Sequence, residues 1–315
     1  MQRYLAQRLL LLLPVLLVIS MLVFGLMHLI PGDPAQVLLG FESTDPAQLA
    51  RVRRDLGLDR PVPVQYLRWM ARLLRGDLGT SVRTGRPIAD LVGEALPYTL
   101  ELAAYGLVLA VALALPLGIA AGTTRSRLAD AAMQTFTLLG LSLPAFWVGA
   151  VLILTFSVHL RWFPVLAYPP LWRDPLGNLW GFFLPALTLA VPNAAAIARM
   201  VRASLVGVRG EEYVTVARAK GLGEAAVVRR HMLPNALIPV VTLVGIVAGY
   251  LVGGSIVVEQ VFAIPGLGRL GLLAIVQRDY PVLQAVVLLV TGLFVLVNLA
   301  VDLAYVLLDP RIRYG

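Results

Sequence analysis

The chain has 315 residues, 59% of them apolar and only 14% charged, with a mean hydropathy of +0.82. Soluble domains carry about 25% charged residues, so this chain cannot by itself be a soluble enzyme. Cysteine is absent, which excludes disulfides, thiolate nucleophiles and cysteine-ligated metals; the net charge of +8 rests on 25 arginines and one lysine. Those basic residues lack the basic–aromatic interleaving of a nucleic-acid surface, and in a membrane chain they set orientation.

Six apolar runs dominate: Leu9–Ile30, Tyr98–Gly122, Ala132–Leu160, Phe182–Ala198, Leu237–Val258 and Val282–Leu308. Each is long enough to span a bilayer as a helix, which takes roughly 17–25 residues. Together they hold two acidic residues, Glu101 and Asp302, and no Lys or Arg. An all-α polytopic membrane protein with six transmembrane helices is expected. The first run follows Arg3 and Arg8 like a secretory signal, but it is long and no A-x-A site follows, so it is expected to be a retained helix.

In chain order, residues 1–30 form the N-terminus and first span, 31–97 an extracytoplasmic insertion, and 98–315 a core membrane domain. Within the insertion, Ala47–Leu56 reads as a short helix started by Asp45-Pro46 and stopped by Gly57. Pro63–Arg75 reads as a second helix, ended by Gly76, with Tyr66, Trp69, Met70 and Leu73 on one face. Prolines interrupt several spans: Pro14, Pro116, Pro144, Pro185 and Pro192. Kinks of this kind suit a transport path and are also common in membrane helices. A cytoplasmic N-terminus places thirteen basic residues inside and four in the short outer loops (Arg161, Arg173, Arg269 and Arg278), as the positive-inside rule requires. Both termini are therefore expected in the cytoplasm.

Catalytic signatures are missing. The lone Lys220 is followed by Gly221, so no Walker A motif exists, and His28, His159 and His231 form no H-E-x-x-H pattern. No G-x-S-x-G elbow is present either. Any energy source must be a partner, an ion gradient, or nothing.

The most informative polar stretch is the loop at 205–235. Glu211–Lys220 reads as a short helix, acidic first and basic last, as the helix dipole favours. Gly221 fits a left-handed position just past its end. Glu224–Met232 reads as a second short helix stopped by Pro234. The pair forms a cytoplasmic knuckle whose apolar residues Tyr213, Val214, Ala217 and Leu222 need a surface, either on a partner or on the chain's own membrane domain.

Here the sequence resembles the inner-membrane permeases of ABC-type importers in the dipeptide/oligopeptide and nickel family. The cytoplasmic motif E-A-A-x3-G-x9-I-x-L-P of that superfamily aligns with Thr215-Val216-Ala217, Gly221 and His231-Met232-Leu233-Pro234. Thr215 and His231 replace the usual Glu and Ile. The peptide branch is matched by Tyr213-Val214, Ala217, Ala219-Lys220-Gly221-Leu222, His231 and Asn235-Ala236. Further similar stretches run along the chain: Pro31-Gly32-Asp33-Pro34, Gly76-Asp77-Leu78-Gly79-Thr80-Ser81, Pro97-Tyr98-Thr99-Leu100-Glu101-Leu102 and Phe262-Ala263-Ile264-Pro265-Gly266-Leu267-Gly268. Asp279-Tyr280-Pro281 and Leu308-Asp309-Pro310-Arg311-Ile312-Arg313-Tyr314-Gly315 complete the set.

The resemblance implies a type I ABC importer permease fold in the cell inner membrane. The pore-forming subunit would handle di- or oligopeptides delivered by an extracytoplasmic peptide-binding protein. It further implies a homologous second permease and two ATPase subunits that bind ATP and Mg, with no cofactor or metal in this chain and no nucleic-acid partner. The knuckle would be the ATPase-coupling loop, carried by Tyr213, Ala217, Ala219, Lys220, Gly221, Leu222, Leu233 and Pro234. Buried polar residues in a bilayer mark candidate pathways: Gln134, Asn193, Ser255, Glu259 and Asn298, with Ser142 and Asp302 alongside. Helix–helix hydrogen bonding is the alternative for each. Gly245, Gly249, Gly253 and Gly254 permit close approach of the fifth span to a neighbour. The rival readings are an ion-gradient transporter, which would want internal repeats and midplane carboxylates, a membrane hydrolase, and, within the family, a nickel or glutathione permease.

Overall fold

The computed structural model describes residues 14–25, 46, 50, 53–54, 59–124 and 126–308. The Pro31-Gly32-Asp33-Pro34 stretch, the 309–315 motif, most of the expected helix Ala47–Leu56 and the Asp302 side chain lie outside the described residues. Among the described residues the secondary structure is helical, with one isolated antiparallel bridge between Thr80 and Pro87. The chain divides into two compact units, residues 1–97 with 265–293, and residues 98–264 with 294–315.

The first unit holds helix α1 (Pro14–Gly25) and helix α2 (Val62–Leu73). The aromatic stripe expected on α2 has a job here. Tyr66, edge-on, and Trp69, tilted, both pack against Phe24 of α1 with ring centroids 5.5 Å away, and the Tyr66 and Ser20 hydroxyls are hydrogen-bonded at 2.8 Å. Next in this unit come the first turns of α3 (Ile88–Thr123), all of α11 (Leu267–Gln277) and the start of α12 (Tyr280–Leu308). Ile88, Val92 and Ala95 of α3 pack with Leu267 and Ala274 of α11 and with Val282, Ala285 and Val286 of α12. Helix α3 thus begins ten residues before the run that starts at Tyr98. Pro97 lies inside it rather than marking its start, because one proline is tolerated where neighbours re-satisfy the freed carbonyl.

The second unit contains the rest of α3 and most of the membrane core. Helix α4 (Arg127–Ser142) is followed by α5 (Ala145–Leu152), which widens into a π-helical turn, Ile153–His159. The single span expected over Ala132–Leu160 is therefore a broken pair, bent by 100°. Pro144 supplies the reason: it has no N–H, and its ring bars Leu143 from the α-helical region. Helix α6 (Pro175–Val208) opens with Asp174 accepting a hydrogen bond from the Gly177 N–H at 2.9 Å, and it carries Pro185 and Pro192 internally. Two short helices, α7 (Glu212–Ala219) and α8 (Glu224–Val227), lead through a π-helical turn, Val228–Met232, into α9 (Leu233–Gly254). Pro234 does not stop the second short helix. It sits in the first turn of α9, directly after the widened turn, where its missing N–H is tolerated. Helix α10 (Ile256–Val261) completes the unit's new elements.

Among the described residues, four continuous helices are long and apolar enough to cross a membrane, or five if the bent pair counts as one span. Large apolar side chains such as Val108, Leu138, Ile246 and Tyr250 are exposed on them. In water such a surface would be a liability, but in lipid it is the solvated face. Glycine makes close packing inside the second unit feasible: a Cβ on Gly118 of α3 would lie 2.6 Å from Val201 Cβ of α6.

Candidate functional site

The knuckle between α6 and α9 is built on its own membrane domain. Arg209, just past α6, donates through Nη2 to the carbonyls of Gly122 and Thr123 at 2.9 and 2.6 Å. A cation is thereby placed on the unpaired carbonyls at the end of α3, where both the dipole and the orphan acceptors favour it. Helix α7 then turns Val214 and Ala217 inward, 0% and 4% exposed. They join a core made of Ala114 and Ala121 from α3, Val201 and Leu205 from α6, Val227 from α8 and Met232 and Ala236 from the turn into α9.

Gly221 joins α7 to α8 with φ +77°, the left-handed conformation read from the sequence. Across this turn Arg218 forks onto Glu224, Nε to Oε2 at 3.0 Å and Nη2 to Oε1 at 2.7 Å. The hydrogen bonds that Arg218 donates to Glu224 raise the Arg218 pKa above its ordinary value. Partial burial, then the Glu211 charge, push the Tyr213 hydroxyl upward, with a hydrogen bond from Asn235 acting the other way.

The apolar face expected of the knuckle is split by this arrangement. Ala217 points into the core with Val214, because the α7 periodicity sets both toward residues of α3 and α6. Leu233 is half-buried against the same core. Tyr213 and Leu222 remain open at 40% and 39% exposure, and Ala219, Lys220, Gly221 and Pro234 are exposed as well. Val216 is 51% exposed beside them and was missing from the sequence reading. Its spacing of three from Tyr213 on one helix face was the available signal.

Of the proposed pathway residues, Ser255 and Glu259 meet each other. Ser255 and Glu259 are fully buried: Glu259 Oε1 accepts from Thr99 Oγ1 and Ser255 Oγ, each at 2.8 Å. Glu259 lies on α10, beyond the break at Ser255, and its bond with Thr99 ties that short helix to α3. Asn193 Nδ2 donates to its own backbone at the Leu189 carbonyl, 2.7 Å away, and is half-buried. The Asn298 Oδ1 lies 3.3 Å from where a Gly249 Cβ would stand, in the seam between α9 and α12. Gln134 is exposed on α4; one turn on, the Thr137 hydroxyl is buried with no hydrogen-bond partner among the described residues.

Comparison with known proteins adds the deciding observation. A family described as binding-protein-dependent transport system inner membrane component matches residues 114–314, and the N-terminal component of the same systems matches residues 1–103. The chain belongs to this permease family. It is 40% identical, over 99% of both chains, to the probable peptide ABC transporter permease protein y4tP of Sinorhizobium fredii. It is 44% identical, over 100% of both, to the glutathione transport system permease protein GsiC of Salmonella paratyphi A. Among solved structures, an inward-facing form of the MetNI methionine ABC transporter is 24% identical over 70% of this chain and 96% of its own, with a TM-score of 0.57. That likeness shows a shared fold.

The permease is thus the membrane-embedded subunit of an ABC-type importer, with ATP hydrolysis assigned to separate chains. Membership replaces the gradient-driven and hydrolase readings. It also gives meaning to two polar clusters that the sequence could not assemble. Asp279 of the Asp279-Tyr280-Pro281 stretch accepts from Ser81 Oγ at 2.5 Å and from the Val82 and Arg83 N–H groups, so two distant permease stretches meet in one buried joint. In the second unit, fully buried Asn178 donates to Glu101 at 2.7 Å and to the Pro169 carbonyl at 2.8 Å, while Tyr105 donates to Asn178 at 2.8 Å. Each satisfied network fixes one register of its helices, since an unpaired partner would be costly in so dry a site.

Proposed function

We propose that this permease imports peptides, di- or oligopeptides, through a pore shared with a homologous second permease and driven by two ATPase subunits. An extracytoplasmic peptide-binding protein delivers the substrate. The chain crosses the cell membrane six times with both termini in the cytoplasm, the first span being the run Leu9–Ile30. The segment from residue 31 to the start of α3 stands outside. The distribution of arginine and lysine supports this orientation. Gln134, Asn193, Ser255, Glu259 and Asn298 are the candidate pathway residues.

One observation carries the coupling mechanism: Val214 and Ala217 root the knuckle in a core shared by α3, α6 and α9, while Tyr213, Val216 and Leu222 stay exposed. A rigid knuckle gripped by an ATPase through its exposed apolar residues passes displacement straight to three spanning helices. ATPase dimerisation would draw two such knuckles together and tip those helices between inward- and outward-open states.

Uptake of a radiolabelled dipeptide and of glutathione into vesicles holding the whole importer tests the reading. ATP-dependent dipeptide uptake supports it. Glutathione is the second substrate to try, because the GsiC relative is 44% identical over the full length, and glutathione uptake alone would narrow the assignment to that thiol tripeptide. Uptake of neither would remove the peptide assignment.

A further inference from the structure

We infer that Glu101 of α3 receives the terminal ammonium group of the incoming peptide, an inference that rests on the peptide reading above. The network joining Glu101, Asn178 and Tyr105 saturates the amide but not the carboxylate. Asn178 gives one amide hydrogen to Glu101 Oε2 and the other to the Pro169 carbonyl, and its Oδ1 accepts from Tyr105. Glu101 thus has one donor for a group that can accept about four hydrogen bonds. Among the described residues its Oε1 has no partner, no cation is paired with it, and the residue is only half-buried. One turn earlier on the same face, half-buried Tyr98 stacks on Phe182 with ring centroids 6.5 Å apart, and its hydroxyl makes no hydrogen bond among the described residues. Phe182 is fully buried and also meets Tyr105 and Tyr168, at 5.7 and 5.1 Å. The base of the site is fixed while two acceptor oxygens stay open.

Depth and charge decide the occupant. With the Thr123 end of α3 in the cytoplasm, Glu101 stands about 33 Å up the helix, and a bilayer core is about 30 Å thick. The carboxylate is then level with the outer edge of the core. An open carboxylate oxygen turned to acyl chains would be costly, so it faces water or the solute. Peptides of differing side chains share two charged groups, and Glu101 attracts the ammonium end while repelling the carboxylate end. An ammonium has three N–H donors and no acceptor, the complement of Glu101 Oε1 and the Tyr98 hydroxyl. A metal ion would need further ligands, and the described residues gather no group of three His, Cys, Asp or Glu side chains that could hold one. A peptide therefore enters with its amino end against α3.

The test uses vesicles holding the whole importer, buffered inside at pH 7, with radiolabelled alanyl-alanine supplied outside on saturating binding protein. Glu101→Gln keeps an oxygen for Asn178 and removes the charge. Losing a charge-assisted hydrogen bond should lower maximal ATP-dependent uptake about tenfold at outer pH 7, with melting temperature and subunit co-purification unchanged. A terminal amino group has a pKa of about 8, so raising the outer pH to 9 should bring the parent-to-variant ratio from about tenfold toward one. The titratable neighbours Tyr98, Tyr105, Tyr168 and Asp174 are the same in both proteins and cancel in that ratio, as does the binding protein. If Glu101→Gln does not assemble, Tyr98→Phe must lower uptake severalfold at pH 7 and lose its deficit at pH 9. Equal uptake by parent and variant at pH 7, or a ratio that stays constant from pH 7 to 9, overturns the inference and leaves the peptide reading standing. Absence of alanyl-alanine uptake by the parent at every pH defeats the peptide reading and the inference with it.

Discussion

Gly221→Val probes the coupling mechanism at its narrowest point. Gly221 sits at φ +77°, and nothing lies within 4 Å of where its Cβ would be. The penalty of a side chain is therefore purely one of backbone conformation, about 1–2 kcal/mol for an L-residue in the left-handed region, with a β-branched residue at the upper end. Domain stabilities are about 5–15 kcal/mol, so the chain still folds, yet 1–2 kcal/mol shifts a local equilibrium by a factor of about 5–30. The joint between α7 and α8 would open and the knuckle would lose its rigidity. In proteoliposomes with the whole importer, ATP-dependent uptake should fall severalfold while basal ATP hydrolysis continues. Gly221→Asn, which tolerates the left-handed region, should stay near the parent. Equal uptake by the Val, Asn and parent proteins at matched levels would refute the reasoning.

Further predictions follow from the same geometry. Val216→Asp, on an exposed face, should weaken co-purification of the ATPase chains without changing thermal stability, whereas Val214→Asp buries an unpaired charge and should abolish accumulation of the permease on immunoblots. Thr99→Val leaves Glu259 without one of its donors in a fully buried site and should lower stability by about 1–3 kcal/mol, read as a reduced melting temperature. Gly118→Val drives a side chain into Val201 and should cost about 1–3 kcal/mol by the same assay, with Gly118→Ala less affected. Because Glu224 raises the Arg218 pKa, the stabilisation from this pair is present below the ordinary arginine range and is lost only as pH rises through the raised value. Glu224→Gln removes the pair, and ATP-dependent uptake by that variant should fall below the parent's at neutral pH.

How much was legible divides along physical lines. Length and apolarity of the runs identified spanning helices, because a bilayer demands an apolar stretch of fixed reach. The left-handed turn at Gly221 and the packing stripe of α2 were readable too, the first from local backbone sterics and the second from helical period. The 100° break before Pro144 was hidden inside a run that was apolar throughout, since hydropathy registers composition and not direction. Val214, Val216 and Ala217 have similar chemistry, and only the placement of α3 and α6 decides which of them faces inward.

The partners of Glu259 show the same limit from the polar side. Thr99 and Glu259 are 160 positions apart, and no local rule couples them. A carboxylate near the end of an apolar run reads as accessible until the chain is closed around it. The sequence by itself determined that this protein lives in a membrane and where the loop between α6 and α9 turns, because those properties follow from short stretches of chain. Only the tertiary structure decided which loop residues remain free for a partner and which polar groups are spent on joining helices. Burial is a property of neighbours distant in sequence, and those neighbours meet only when the chain has folded.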